Sequence, residues 1–157
     1  MNTIKLFTLA LVVFVTATAG RVSLQSDGDC DATGMKNQAK GLLDNDFKYD
    51  SSKITRFAYK EKEQLKEIEV PLFIGEKYRF IFNTAVPENV VISIYDKPST
   101  AKKRKLLYTN KEELKGNKKI YVWEPQKSRK MYVNFEIPKS QNVDSRGCII
   151  FLLGYKI

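Results

Sequence analysis

The chain contains no histidine. Imidazole is the commonest general base and a frequent zinc ligand, so its absence removes Ser-His-Asp catalysis and most zinc sites together. Cysteine is almost as scarce: 157 residues hold two, Cys30 and Cys148. No G-x-x-x-x-G-K-[ST], G-x-G-x-x-G or G-x-S-x-G run occurs, so the common phosphate loops and the nucleophile elbow are missing. After the first twenty residues no apolar run approaches the ~20 residues that a membrane helix needs. A carboxylate pair is the chemistry that survives these exclusions. Yet most Asp and Glu alternate with Lys in stretches such as "KEKEQLKE", the pattern of solvated surface. The composition therefore points away from an enzyme and from any cofactor, and a carboxylate-based hydrolase is the least favoured reading.

What is present begins with "MNTIKLFTLALVVFVTATAG". Lys5, an apolar run from Leu6 to Val15 and the small-x-small tripeptide Ala17-Thr18-Ala19 form a signal-peptide pattern. Cleavage after residue 19 would leave Gly20 as the new N-terminus. The apolar run is short for an uncleaved anchor. The expected product is an exported chain, periplasmic or extracellular, with no transmembrane segment. A leader with a short helix (20–51) precedes one β-domain (52–157).

Cys30 stands in "SDGDCDATG". A lipid anchor needs its cysteine at the cleavage site, but the polar "RVSLQSDGD" intervenes. A metal site would use Asp27, Asp29 and Asp31, which match the first three ligands of a calcium loop. The match then fails, because Ala32 stands where the turn needs glycine and Gln38 where a bidentate Glu belongs. No metal site is expected. A Cys30–Cys148 disulfide remains, as the compartment favours.

The formal charge is +9. It is unevenly spread: residues 20–50 carry six acids and four bases, and residues 51–157 carry twelve acids and twenty-two bases. A basic body follows a mildly acidic leader.

In "DATGMKNQAKGLLDND", Met35, Ala39, Leu42 and Leu43 share a face at helical spacing, which predicts a helix over 33–43. From Ser52 the period changes to two. The segments "KITRFAYK", "LKEIEVPLF", "GEKYRFIFN", "NVVISIYD", "RKLLYTN", "KKIYVWEP", "RKMYVNFEIP" and "GCIIFLLGYK" read as eight short strands. Gly75 favours a tight turn between the second and third. The fold class is mainly β, an antiparallel β-sandwich of jelly-roll-like type with one short N-terminal helix. A closed barrel is the structural alternative.

The stretches "EIEVPLFIGEKYRFIFNT", "KSRKMYVNFEIP" and "GCIIFLLGYK" resemble a set of small exported proteins of Bacteroidetes-type bacteria. The likeness covers most of the mature chain. It implies location and fold, and offers no catalytic residues. More loosely, "LFIGEKYRF" followed by "VISIYD" resembles the sandwich domains appended to secreted peptidases, which are accessory binding or stability modules. Fold alone does not give function.

Three constellations carry functional expectations. The first is basic: Lys97, Lys102, Lys103, Arg104 and Lys105 lie in one loop, Lys127, Arg129 and Lys130 in another, and Lys115, Lys118 and Lys119 in a third. If the loops share an end, they form a strongly positive patch. Outside the cytoplasm its partners would be lipid A phosphates, acidic polysaccharide or an acidic protein surface, with no nucleic acid expected. Solvated loops that merely keep the protein soluble are the plainer reading. The second is aromatic: Tyr121, Trp123 and Tyr132 would make a sugar-stacking strip in one hairpin register. In the register that turns about Lys127, Trp123 faces Met131, Tyr121 faces Val133 and both aromatics join the core, which explains more apolar residues. The third is the charged edge "YKEKEQLKEIEV", which fits either protection against strand pairing or addition of a partner strand. The expected function is a non-enzymatic exported binding or structural module acting through its basic loops. A carbohydrate-binding module is the alternative.

Overall fold

A computed structural model describes residues 30–86 and 89–156. The signal-peptide pattern, Asp27 and Asp29 lie outside the described residues. Helix α1 spans Ala32–Gly41. Asp31 caps it, its carboxylate accepting from the Gly34 N–H at 2.9 Å. Asp44, at φ 57°, turns the chain out of the segment that follows the helix. Ten residues are too few to hold a helix in water alone. Its stability comes from packing: Met35 and Ala39 are buried, and Leu43 and Phe47 extend the same apolar face.

Eight strands follow: β1 (Lys48–Ala58), β2 (Gln64–Val70), β3 (Lys77–Ala85), β4 (Val91–Tyr95), β5 (Leu106–Thr109), β6 (Ile120–Trp123), β7 (Met131–Ile137) and β8 (Arg146–Lys156). They form two four-stranded antiparallel sheets, β1-β8-β3-β6 and β2-β7-β4-β5. That order is the jelly roll, and the two sheets make a sandwich. The β-domain begins at Lys48 rather than at 52.

Only β4 and β5 are both consecutive and paired; every other connection crosses from one sheet to the other. This corrects the expected β6–β7 hairpin. Trp123 pairs with Phe80 and Tyr121 with Phe82, whereas Met131 pairs with Val70. Gly75, at φ 97°, turns a crossing connection and not a hairpin.

The inner faces meet in one core. Phe80, Phe82, Ile149 and Phe151 come from the first sheet, and Ile68, Ile92, Ile94, Val133 and Phe135 from the second. Phe82 and Phe135 touch edge to face, their ring centroids 6.3 Å apart. The first sheet is also apolar on its outer face, and α1 covers it. Ala39, Leu43 and Phe47 pack on Ile81 and Leu152, and Met35 packs beside Cys148 and Ile150. β8 is consequently buried without a break from Gly147 to Gly154.

Three devices fasten the helix to the sheet. The Cys30–Cys148 disulfide ties its N-terminus to β8 across 118 residues of sequence. Buried Asn83 donates from Nδ2 to the Met35 carbonyl and to Gln38 Oε1, both at 3.0 Å. Arg79 donates to the Leu42 carbonyl and to Asp44 at 2.7 Å, and to Glu124 at 2.7 Å. At the far end of β8 the covering segment lies directly on the backbone. A Cβ on Gly154 would sit 2.2 Å from Leu43 Cδ2 and 3.3 Å from the Lys48 carbonyl oxygen.

Two expectations follow. Replacing both cysteines by serine should lower stability by about 2–5 kcal/mol, read as a drop in the denaturant midpoint, because the bridge closes a long loop in the unfolded chain. An unchanged midpoint would show that packing alone holds the helix. Gly154→Ala forces Leu43 aside and should cost about 1–3 kcal/mol in the same assay. Gly41→Ala, where an added Cβ meets nothing within 4 Å, should cost nothing comparable.

Candidate functional site

Strand register sorts the loops into two groups. In the second sheet Val70 at the end of β2 faces Met131 at the start of β7, Tyr132 faces Tyr95, and Tyr95 faces Leu106. In the first sheet Lys77 faces Lys156, and Trp123 faces Phe80. The connections 71–76, 96–105 and 124–130 therefore leave from one end of the sandwich. The connections 59–63, 110–119 and 138–145, and residues 86, 89 and 90 between β3 and β4, occupy the opposite end.

The first end collects the basic loops. Segments 96–105 and 124–130 together carry eight bases against two acids, Asp96 and Glu124. Lys97, Lys102, Lys103, Lys105, Lys127 and Arg129 are exposed there. Lys115, Lys118 and Lys119 lie at the other end, and Lys118 pairs with Glu113. Two of the three basic loops thus leave from one end and the third does not.

The bases at this end divide by role. Arg104 is half-buried and structural. Its guanidinium lies 3.7 Å from the Tyr95 ring centroid, donates to Asn134 Oδ1 at 2.5 Å and stands 4.0 Å from Glu67. Asn134, fully buried, donates back to Glu67 at 2.6 Å, and the Ser99 N–H donates to the same carboxylate oxygen at 2.8 Å. This network presses the 96–105 loop against the outer face of the second sheet. The Lys105 N–H closes the loop's base on Asp96 at 2.6 Å. Lys130 pairs with Glu69 at 2.7 Å, and that hydrogen bond lowers the Glu69 carboxyl and raises the Lys130 ammonium. Lys102, Lys103, Lys127 and Arg129 make no ion pair among the described residues.

The connection 71–76 was not foreseen as part of this surface. Leu72 turns into the core, but Phe73 and Ile74 are 76% and 92% exposed. The loop beneath them is braced. The Tyr78 hydroxyl accepts from the Phe73 N–H at 3.1 Å and donates to Glu76 at 2.5 Å. Ser128 Oγ donates to the Glu76 carbonyl, which joins this loop to the basic 124–130 loop. The available signal was local: "LFI" between Pro71 and Gly75 breaks the alternation that a strand would keep.

The aromatic strip does not exist. Tyr121 is buried, its hydroxyl donating to the Lys118 carbonyl at 2.6 Å. Trp123 is half-buried, stacked on Tyr108 at 5.6 Å and edge-on to Phe80 at 5.5 Å. Tyr132 lies on the outer face of the other sheet, beside Glu69 and Tyr95. The three rings share no face because β6 and β7 belong to different sheets. A groove of about 520 Å³ on the outer face of the second sheet includes Leu65, Val91, Arg104 and Glu136 in its lining. Of its three charged residues, Glu63, Arg104 and Glu136, two are already engaged: Arg104 with Asn134, and Glu136 with Ser93 Oγ at 3.2 Å. Among the described residues no cluster of His, Cys, Asp and Glu could hold a metal ion, and Asp31 serves the helix cap.

The division of roles is measurable. Arg104→Ala leaves buried Asn134 Oδ1 without its donor and should cost about 1–3 kcal/mol of stability. Lys127→Ala and Arg129→Ala should stay within about 0.5 kcal/mol of the parent, as exposed residues do. Equal costs at all three positions, by chemical denaturation, would contradict this division. No protein-family model matches the chain, and no curated protein matches it, so charge and shape at this end are what a function must be inferred from.

Proposed function

We propose that this protein is a non-enzymatic, exported cell-envelope module that docks an anionic component through the basic end of its sandwich. The observation that carries the reading is the convergence of loops 96–105 and 124–130, far apart in sequence, on one end. Like charges gathered on one face raise the local potential beyond what scattered lysines give. The signal-peptide pattern supports export. So does a disulfide between the chain's two cysteines, since such bridges persist in oxidising compartments. No described helix is long and apolar enough to cross a membrane. The resemblance to small exported proteins of Bacteroidetes-type bacteria agrees with the envelope location.

The arrangement suits attraction rather than chemistry. Lysine heads on flexible stems attract a diffuse negative field without demanding one geometry. The braced sandwich keeps the loop bases in place, so binding orders little besides side chains.

The test is a pull-down from gently cross-linked cells with the mature chain as bait, beside K102Q/K103Q/K127Q/R129Q. The parent should retain anionic envelope material, and the retention should fall steeply between about 0.15 M and 1 M salt. The quadruple variant should lose most of it while keeping the parent's denaturant midpoint. Retention that ignores both salt and the four substitutions would overturn the reading.

A further inference from the structure

Phe73 and Ile74 are the most exposed large apolar side chains among the described residues, and they are adjacent. Their connection touches the loop that carries Lys127 and Arg129, through Ser128 on the Glu76 carbonyl, and the loop that carries Lys102 and Lys103 leaves from the same end and folds onto the adjoining sheet face. We infer that this end is a membrane-docking tip: Phe73 and Ile74 insert into the interfacial region of an anionic bilayer while the surrounding lysines meet its headgroups. The inference rests on the proposed basic-end reading and names its partner.

Four observations select a bilayer. The first is shape. The apolar pair stands on a crossing connection at one end of the sandwich, almost wholly exposed, with Gly75 at φ 97° turning the chain behind it. So exposed a pair needs a deformable partner or a matching pocket, and lipid supplies the former without complementarity. The second is bracing. Tyr78 holds both the Phe73 N–H and the Glu76 carboxylate, and Ser128 holds the Glu76 carbonyl. The loop is fixed while its two apolar side chains are left uncovered, so their exposure is built in and not a product of slack chain. The third is the pairing of signals. A small apolar insertion or a basic patch alone gives marginal, reversible membrane binding, and the two together give stable attachment. Here one end of the molecule supplies both. The fourth is the kind of charge. Apart from Arg129, the exposed bases of the neighbouring loops are lysines, which suit the smeared field of an anionic leaflet more than bidentate recognition of one group.

The interaction would be peripheral. Leu72, beside the pair, is buried in the core and Tyr78 is committed to the loop, so insertion reaches only the two tip residues. It would leave the sandwich intact and the opposite end, with Lys115 and Lys119, facing away from the surface.

The experiment is flotation of the disulfide-bonded mature chain with vesicles of phosphatidylcholine alone and of phosphatidylcholine mixed with phosphatidylglycerol. The parent should float with the mixed vesicles and not with the neutral ones. F73S/I74S should weaken that binding by about tenfold or more, since both apolar side chains leave the interface. The same variant should elute from an immobilised polyanion, heparin-agarose, at the parent's salt concentration, because its charge is unchanged. F73W should show a blue-shifted emission on addition of mixed vesicles only. Undiminished flotation of F73S/I74S would overturn the insertion. If the parent ignores both vesicles yet binds the polyanion in a salt-sensitive way, the membrane tip fails and the basic-end reading stands; if it binds neither, both fail. Self-association of the parent that F73S/I74S abolishes, without vesicle binding, would also overturn the inference and assign the tip to a second copy of the chain.

Discussion

Strand β8 is apolar on both faces, and most of the architecture answers that one fact. A strand of this kind is stable only between two covering layers. The second sheet supplies one layer through Ile92, Val133 and Phe135. Nothing in a plain two-sheet sandwich supplies the other. The segment before β1 does so, and this explains why a ten-residue helix too short to persist alone is present at all. The disulfide, the Asn83 bonds and the Arg79 bonds then read as one arrangement, distributed along the helix from Cys30 to Asp44, that keeps the cover from lifting. From Cys30 onward the helical segment and the sandwich are a single packed unit.

The jelly-roll order has a second consequence, which concerns function. Because strands alternate in direction, odd and even connections emerge at opposite ends. Three loops that are remote in sequence, 71–76, 96–105 and 124–130, are therefore neighbours, whereas 110–119, which lies between two of them, is sent to the far end. Charge that looks evenly scattered along the chain becomes sorted in space. The sorting needs no long-range design beyond the strand order. Each substitution to lysine in an even-numbered connection adds to the same pole, and the core does not feel it.

Local pattern made much of this legible. All eight strands and the helix were readable from period and punctuation, because alternation such as Tyr78, Phe80 and Phe82 against Lys77 and Arg79 reports burial directly. The Cys30–Cys148 bridge was readable from count and compartment. What was not readable was pairing. Adjacent strands in sequence suggest hairpins, and nothing in "EPQKSRK" announces that its flanking strands belong to different sheets. Hence the Tyr121-Trp123-Tyr132 strip was a fair alternative in one dimension and vanishes in three. The same blindness hid Phe73 and Ile74. The broken alternation of "LFI" marks them as off the strand, and only the crossing connection puts them at the surface at one end of the sandwich.

Charge in this protein serves two purposes, and residue type tracks them. Arg79 and Arg104 are the cations that organise structure: each reaches across elements, meets a carboxylate, and lies on an aromatic ring, Phe47 for Arg79 and Tyr95 for Arg104. A planar guanidinium is suited to that, because it stacks and donates in fixed directions at once. The bases that stay in solvent at the basic end are mostly lysines, whose strongly hydrated heads resist such fixed pairing. Pairing those lysines internally would stabilise the loops and cancel the field they produce. The fold instead satisfies the loops through backbone N–H and hydroxyl donors, at Ser99, Lys105 and Ser128, and, Lys130 apart, keeps the ammonium groups out of the bookkeeping of stability. A positive end that costs the fold so little can be given over to binding, and in the docking proposed above the contact begins at the uncovered Phe73-Ile74 pair.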